Sequence, residues 1–368
     1  MNNETNHTVI SSNGQTKQLI NADAIRAEAE EILNSSSKTQ VFEDEDFPNL
    51  FKIQTANLWL KDAKKRPVPK MLFGEFWFEG EICILFADTN VGKSILAVQI
   101  ADAISKGQNI GNIEIETDKQ KVIYFDFELS DKQFEARYSE KLIGGNYFTN
   151  HHQFDDDFIR AEINPNAEIE NGFATFEDYL NSSLNHTIAE TGAKVLIIDN
   201  LTYLKNETEK ARDALPLMKY LKSLKNKYNL SILALAHTPK RDSSKPITRN
   251  DLQGSKMLIN FCDSSFSIGE SSRENGLRYL KQIKVRNAEM KFDAENVHLC
   301  QIEKPDNFLR FAFEGFARES EHLKAITEKD RNELIEQVKN LSASGESQRN
   351  IADTLGISLG AVNKYLKI

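Results

Sequence analysis

From Phe51 onward, short apolar runs alternate with stretches of helical periodicity. EICILFA (81–87) reads as a buried strand, and a helix follows over 92–106. KVIYFDFEL (121–129) is a second strand, ATFEDYLNSSLNHTIAET (174–191) a helix, and AKVLIIDN (193–200) a third strand. ALPLMKYLKSLKNKY (214–228) is the next helix, and LSILALAH (230–237) the fourth strand. The strands are apolar throughout rather than alternating, as expected of strands covered on both faces. The βαβ rhythm predicts an α/β domain with a mainly parallel sheet and helices on both sides. Strand-like pieces follow in SSFSIGE (264–270), RYLKQIKVR (278–286) and LRFAFEGF (309–316).

The pattern breaks twice. Residues 1–18 are rich in Asn, Thr and Ser and are expected to be disordered. LINADAIRAEAEEILNSSS (19–37) has helical spacing, and the acidic FEDEDFPN (42–49) reads as a linker. Near Arg318 an all-helical tail begins. A first helix is expected over 328–341, a second over 346–356 with Ile351, Ala352 and Leu355 inward, and a third from Ser358 as N-cap. Gly356 stands in the turn between the last two, where a positive φ is expected. These breaks divide the chain into an N-terminal extension (1–50), a large α/β domain (51–318) and a small helical domain (319–368).

Composition narrows the choice of function. The chain has 368 residues and a formal net charge of −9, which argues against a nucleic-acid binder held by bulk charge. Contact with DNA would have to come from local basic segments. The three cysteines, Cys83, Cys262 and Cys300, are far apart, form no metal or redox pattern, and are expected as small buried residues in a reducing compartment. No apolar run approaches the ~18–20 residues of a membrane span, and the first residues carry no apolar signal core. A cytoplasmic protein is expected.

The chemistry is concentrated in ADTNVGKSI (87–95). A phosphate-binding loop surrounds the anion with inward backbone N–H groups at a helix N-terminus. Asp88, Thr89, Asn90, Val91, Gly92, Lys93, Ser94 and Ile95 are the candidate nucleotide-binding residues. Lys93 would reach the β- and γ-phosphates and Ser94 would hold Mg²⁺. Ala87 replaces the first glycine of the usual motif, which serves only if that residue keeps a negative φ. Three later strands also end in polar groups. Asp199 ends the third, where a carboxylate for Mg²⁺ belongs. His237 ends the fourth, where it could sense the γ-phosphate. Asp126 and Glu128 end the second, on one side of an extended chain, where a carboxylate could deprotonate water. Four strands delivering polar groups to one sheet edge is the layout of an open α/β ligand site.

With NDLQGSKMLINFCDSSFSI and IKVRN following, the chain resembles the RecA-like ATPases over about residues 55–315. Within them it is similar to the hexameric helicases of the DnaB/RepA type and to KaiC-like proteins, above all to RepA-like ATPases of plasmids and mobile elements. The resemblance implies Mg²⁺ and ATP as cofactors, Glu128 as catalytic base, Asp199 as Mg²⁺ carboxylate and His237 as sensor. It also implies a homo-oligomer, with a hexameric ring as the family pattern, in which Lys284 and Arg286 enter a neighbour's site. Ala87 departs from the family pattern. No primase-binding domain is recognisable, which puts a replicative helicase role in doubt.

Two segments could touch DNA. HTPKRDSSKPITRNDLQGS (237–255) carries Lys240, Arg241, Lys245 and Arg249 without an aromatic residue; a channel-facing loop and an ordinary solvated loop both remain open. The tail resembles the helix-turn-helix of bacterial DNA-binding domains. That resemblance places Ser358, Gly360, Asn363 and Lys364 towards the major groove and Gln348 and Arg349 on the backbone. The alternatives are a non-enzymatic regulator whose ATP state switches assembly, and a small-molecule kinase, which the tail disfavours.

Overall fold

The computed structural model describes residues 51–368 apart from 143, 165, 168–171, 174, 205–213, 240, 253–254, 326–327 and 356. The expected N-terminal extension, Lys240 and Gly356 lie outside the described residues. The described residues 51–67 belong to one unit, in which helix α1 (Ala56–Ala63) is capped by the Thr55 hydroxyl. A second unit runs from Val68 to the end.

The second unit is built on a nine-stranded sheet. Its strands are β1 (Ile82–Ala87), β2 (Val122–Asp126), β3 (Phe158–Ala161), β4 (Val195–Asp199), β5 (Ser231–His237), β6 (Ser264–Glu270), β7 (Leu277–Lys284), β8 (Val297–Glu303) and β9 (Arg310–Ala317). Their spatial order is β9-β8-β7-β6-β1-β5-β4-β2-β3. The six strands from β6 to β3 are parallel, and β7, β8 and β9 continue the sheet antiparallel. This is the RecA-like α/β fold.

Every residue of β1 is buried, because the strand sits in mid-sheet and both of its faces are covered. Cys83, Leu85 and Ala87 join one core with helix α2 (Lys93–Lys106). Ile82, Ile84 and Phe86 join the other, with Leu184 and Ile188 of α4 (Phe176–Thr191) and Leu217, Met218, Leu221 and Leu224 of α5 (Ala214–Tyr228). The period of two along the strand thus separates the two layers. All three cysteines are buried and free.

Strands β3 and β8 were not anticipated from the sequence. β3 is four half-buried residues, FIRA, whose place depends on pairing with β2. β8, VHLCQIE, interrupts its apolar pattern with His298.

The expected boundary at Arg318 falls too early. Glu319 is fully buried, ion-paired with Lys281, and accepts the Ile247 N–H at 2.7 Å. His322 is buried and meets the Ser271 hydroxyl at 2.8 Å. A buried charge stays only where it is paired, so this segment belongs to the sheet domain. Beyond it, α7 (Glu328–Ala343), α8 (Gln348–Leu355) and α9 (Leu359–Tyr365) share a small core of Val338, Ile351, Ala352 and Val362, with Leu355 packed against it. Among the described residues no helix is long and apolar enough to cross a membrane.

Candidate active site

The loop between β1 and α2 has the backbone its sequence requires. Ala87 closes the strand and is not among the residues with positive φ, so alanine is tolerated there. Asn90 has φ 66°, a left-handed position that asparagine adopts more readily than most residues. Gly92 has φ 106°, and a Cβ there would lie 2.6 Å from Ile302 and 2.9 Å from Phe311. Both the backbone angle and the packing therefore demand glycine.

Lys93, 7% exposed, folds back over this loop. Its Nζ donates to the Ala87 carbonyl at 2.9 Å and the Asp88 carbonyl at 3.0 Å, and lies 3.3 Å from His237 Nδ1. Burial holds its ammonium below the usual lysine range, against the pull of Asp199, Glu128 and Asp88. A partly desolvated cation over backbone carbonyls can readily exchange them for phosphate oxygens.

Asp199 is 1% exposed and accepts the Tyr124 hydroxyl at 2.6 Å. Burial drives its carboxyl up to about 6, while hydrogen bonds from Ser94 and Tyr124 pull it down. The Ser94 hydroxyl therefore lies against the Asp199 carboxylate, at the N-terminus of α2. One hydroxyl and one carboxylate, with phosphate and water completing the shell, suit Mg²⁺ in a nucleotide site. A closed protein cage is not needed, and none of three or more His, Cys, Asp and Glu exists among the described residues.

The two carboxylates after β2 do not share a face, contrary to the expectation from an extended chain. The strand ends at Asp126, and the backbone turns. Asp126 is buried, pairs with Arg160 Nε at 2.9 Å, and accepts the N–H groups of Glu128 (3.2 Å) and Leu129 (2.9 Å). It fastens the turn. Glu128 is released towards the loop, where its Oε1 accepts from Asn200 Nδ2 and lies 3.4 Å from His237 Nε2. The contact with His237, more than any other, holds the Glu128 carboxyl below its ordinary range. Asn200 is oriented by the Thr202 N–H, which donates to its Oδ1 at 2.9 Å, so its amide nitrogen faces Glu128 and His237. With Nδ1 facing the Lys93 ammonium, the Nε2–H tautomer of His237 donates to Glu128, and the Asn200 amide beside it then donates to Glu128 alone.

Lys93, Ser94, Glu128 and His237 border a cleft of about 180 Å³, lined also by Thr89, Asn90, Gly92, Ile95, Leu129 and Arg137. A larger cavity of about 600 Å³ lies beside the other end of α2, and its Asp102, Lys106 and His152 bond one another. It shares no residue with the phosphate loop. Asn200 and Arg137 were not foreseen from the sequence. Arg137 closes α3 (Asp131–Arg137), and its Nη1 is buried without a partner among the described residues. Only its ninth place after Glu128 could have drawn attention to it.

Lys284 and Arg286 are not brought to this cleft. Lys284 Nζ donates to the Cys262 carbonyl at 2.7 Å and to the Ile259 carbonyl, covering the C-terminus of α6 (Ser255–Phe261). Arg286, just past the end of β7, bonds Asp263 at 3.1 Å. Of the cations in the basic loop, only Arg241, among the described residues, departs from a solvated side chain. Arg241 is turned inward, its side chain 8% exposed and its Nε 3.4 Å from Asp88. The phosphate-loop carboxylate holds it away from solvent. Lys245 pairs with Asp242, and Arg249 is exposed in a one-turn helix. In the tail, Gln348, Arg349, Ser358, Gly360, Asn363 and Lys364 are all exposed, and Ser358 caps α9 through Ala361 N at 3.1 Å.

Comparison with known proteins gives the family. The family model described as AAA domain matches residues 48–243, more than half of the chain. No curated protein matches. Among solved structures, a KaiC-like protein from the hyperthermophilic archaeon Pyrococcus horikoshii OT3 is similar, at 13% identity and a TM-score of 0.43, with 64% of this chain and 91% of that chain covered. The matched span contains the phosphate loop, both carboxylate-ended strands and His237, and on it the chain belongs to the AAA domain family of P-loop ATPases.

Proposed function

We propose that the protein hydrolyses ATP and acts on, or is regulated by, DNA in the replication, mobilisation or maintenance of a plasmid or mobile element. The observation that carries the enzymatic half is the convergence of Lys93, Ser94, Glu128 and His237 on one cleft, with the buried Asp199 behind it against Ser94. Lys93 exchanges the Ala87 and Asp88 carbonyls for β- and γ-phosphate oxygens. Glu128 Oε1 takes the proton of the attacking water. Asn200 and His237 hold that carboxylate in place, and His237 reads the state of the γ-phosphate. Arg137 lines the cleft, and its Nη1, without a partner among the described residues, supplies a further donor to the phosphates. Ser94 and Asp199 would hold Mg²⁺, which when bound neutralises phosphate charge.

The pH dependence follows from Asp199. Its carboxyl titrates at about 6 in the nucleotide-free protein, so it carries a proton at lower pH and cannot take a cation. Affinity for Mg²⁺–ATP is expected to be flat above about pH 7 and to fall by up to about tenfold per unit below about pH 6. Calorimetric titration across that range checks this. Asp199→Asn should bind weakly at every pH and lose the slope.

The DNA half of the proposal rests on the tail. Its helix spacing and its exposed Ser358, Asn363 and Lys364 support a helix-turn-helix that enters the major groove. One near-neutral copy binds weakly, and a ring of copies would bind through multivalency. Such a ring also gives Arg286, 51% exposed, a route from Asp263 to a neighbour's γ-phosphate, with Lys284 beside it. The test is ATP turnover without DNA, with single strands and with duplex, for the full chain and for a chain ending at residue 325. Basal turnover is expected in both, and a duplex response only in the full chain. A shortened chain that binds and responds to duplex like the full one would remove the tail from the proposal.

A further inference from the structure

Asp88 is an awkward residue for a phosphate-binding loop. It puts a carboxylate between β1 and the helix N-terminus that would receive the anion, where like charges repel. Both of its oxygens are occupied from the segment after β5. The Thr238 hydroxyl donates to Oδ1, and Arg241 Nε lies 3.4 Å from Oδ2. The Thr238 N–H also donates to the Ala87 carbonyl at 3.2 Å. Arg241 is itself held, with Nη1 donating to the Lys245 carbonyl at 2.9 Å. Further along, the segment is fixed at Ile247, whose N–H meets Glu319 at 2.7 Å and whose carbonyl accepts Lys281 at 2.8 Å.

We infer that Arg241 is a positioning residue for nucleotide binding: it neutralises Asp88 and keeps its carboxylate off the path of the phosphates. The pair is buried on the arginine side only: the Arg241 side chain is 8% exposed and that of Asp88 45%, so the carboxylate stays open to solvent and to an incoming anion. Its effect is on the charge that an incoming polyphosphate meets. The arrangement also makes the loop's affinity depend on where the segment after β5 sits. A displaced segment withdraws Arg241 and leaves the bare carboxylate in the loop.

The inference rests on the ATP reading of the loop, so the test separates the two. Mg²⁺–ATP binding is measured by calorimetry on the full chain, on Arg241→Gln, Arg241→Lys, Asp88→Asn and Lys93→Ala, and on the double variant Asp88→Asn/Arg241→Gln. Arg241→Gln is expected to weaken binding by about tenfold, equivalent to about 1.4 kcal/mol, raising KM more than it lowers kcat. Arg241→Lys should keep most of the affinity. The double variant should recover it, since without the carboxylate no counter-charge is needed. Damage to packing alone would not be rescued by Asp88→Asn. Wild-type binding that Lys93→Ala removes but Arg241→Gln leaves intact overturns the inference alone. So does a double variant as weak as Arg241→Gln. A full chain that binds no Mg²⁺–ATP overturns the ATP reading and the inference together.

Discussion

Lys93→Ala is expected to abolish ATP turnover, by about 10³-fold or more, and to weaken nucleotide binding strongly without lowering the melting temperature. In the nucleotide-free protein the ammonium is buried, and burial lowers its pKa. Holding it there costs folding free energy, so its loss should not destabilise the domain. What is lost is the charge that would leave the Ala87 and Asp88 carbonyls for the transferring phosphoryl group. Turnover assays and nucleotide titration, with a thermal melt as control, measure all three effects. Undiminished turnover would end the phosphate-loop account. A large fall in melting temperature would mean that Lys93 is structural.

This lysine was legible in the sequence because its surroundings are local. An apolar strand, a tight loop and an amphipathic helix are contiguous, and their order fixes the geometry. The central strands were readable for the same reason: β1, β4 and β5 are covered on both faces and advertise it in unbroken apolar runs. What escaped depends on contacts between distant segments. Nothing near Arg241 announces Asp88, which is captured only once β5 lies beside β1. β3 is too short and too polar to stand out, and exists because β2 offers it an edge. Glu319 looked like the start of a tail, since its partners Lys281 and Ile247 are on other elements. The pair Asp126 and Glu128 is the most instructive case. Alternation put them on one face, but the strand ends between them, and Arg160 from β3 decides which one is buried.

That division yields the second large effect. Glu128→Gln is expected to bind ATP normally and to hydrolyse it about 10²–10⁴-fold more slowly, as for loss of a general base. Glutamine keeps the shape and an amide oxygen that can still accept from Asn200, so the cleft should stay intact; only the basic carboxylate is gone. Asp126→Asn should fail differently. Its carboxylate is the buried partner of Arg160, whose guanidinium also donates to the Leu129 carbonyl at 2.7 Å and lies over the Phe134 ring. Neutralising one partner of such a pair costs roughly 3 kcal/mol. The expected signature is a melting temperature lower by several degrees, with the remaining folded protein keeping much of its turnover. Measuring kcat, ATP affinity and thermal midpoint for both variants separates chemistry from scaffolding. If Asp126→Asn stops hydrolysis at unchanged stability while Glu128→Gln turns over normally, the base is Asp126 and the role given to Glu128 is wrong. If Glu128→Gln instead loses ATP binding along with turnover, Glu128 is part of the binding surface, and the proton must leave the water by another route.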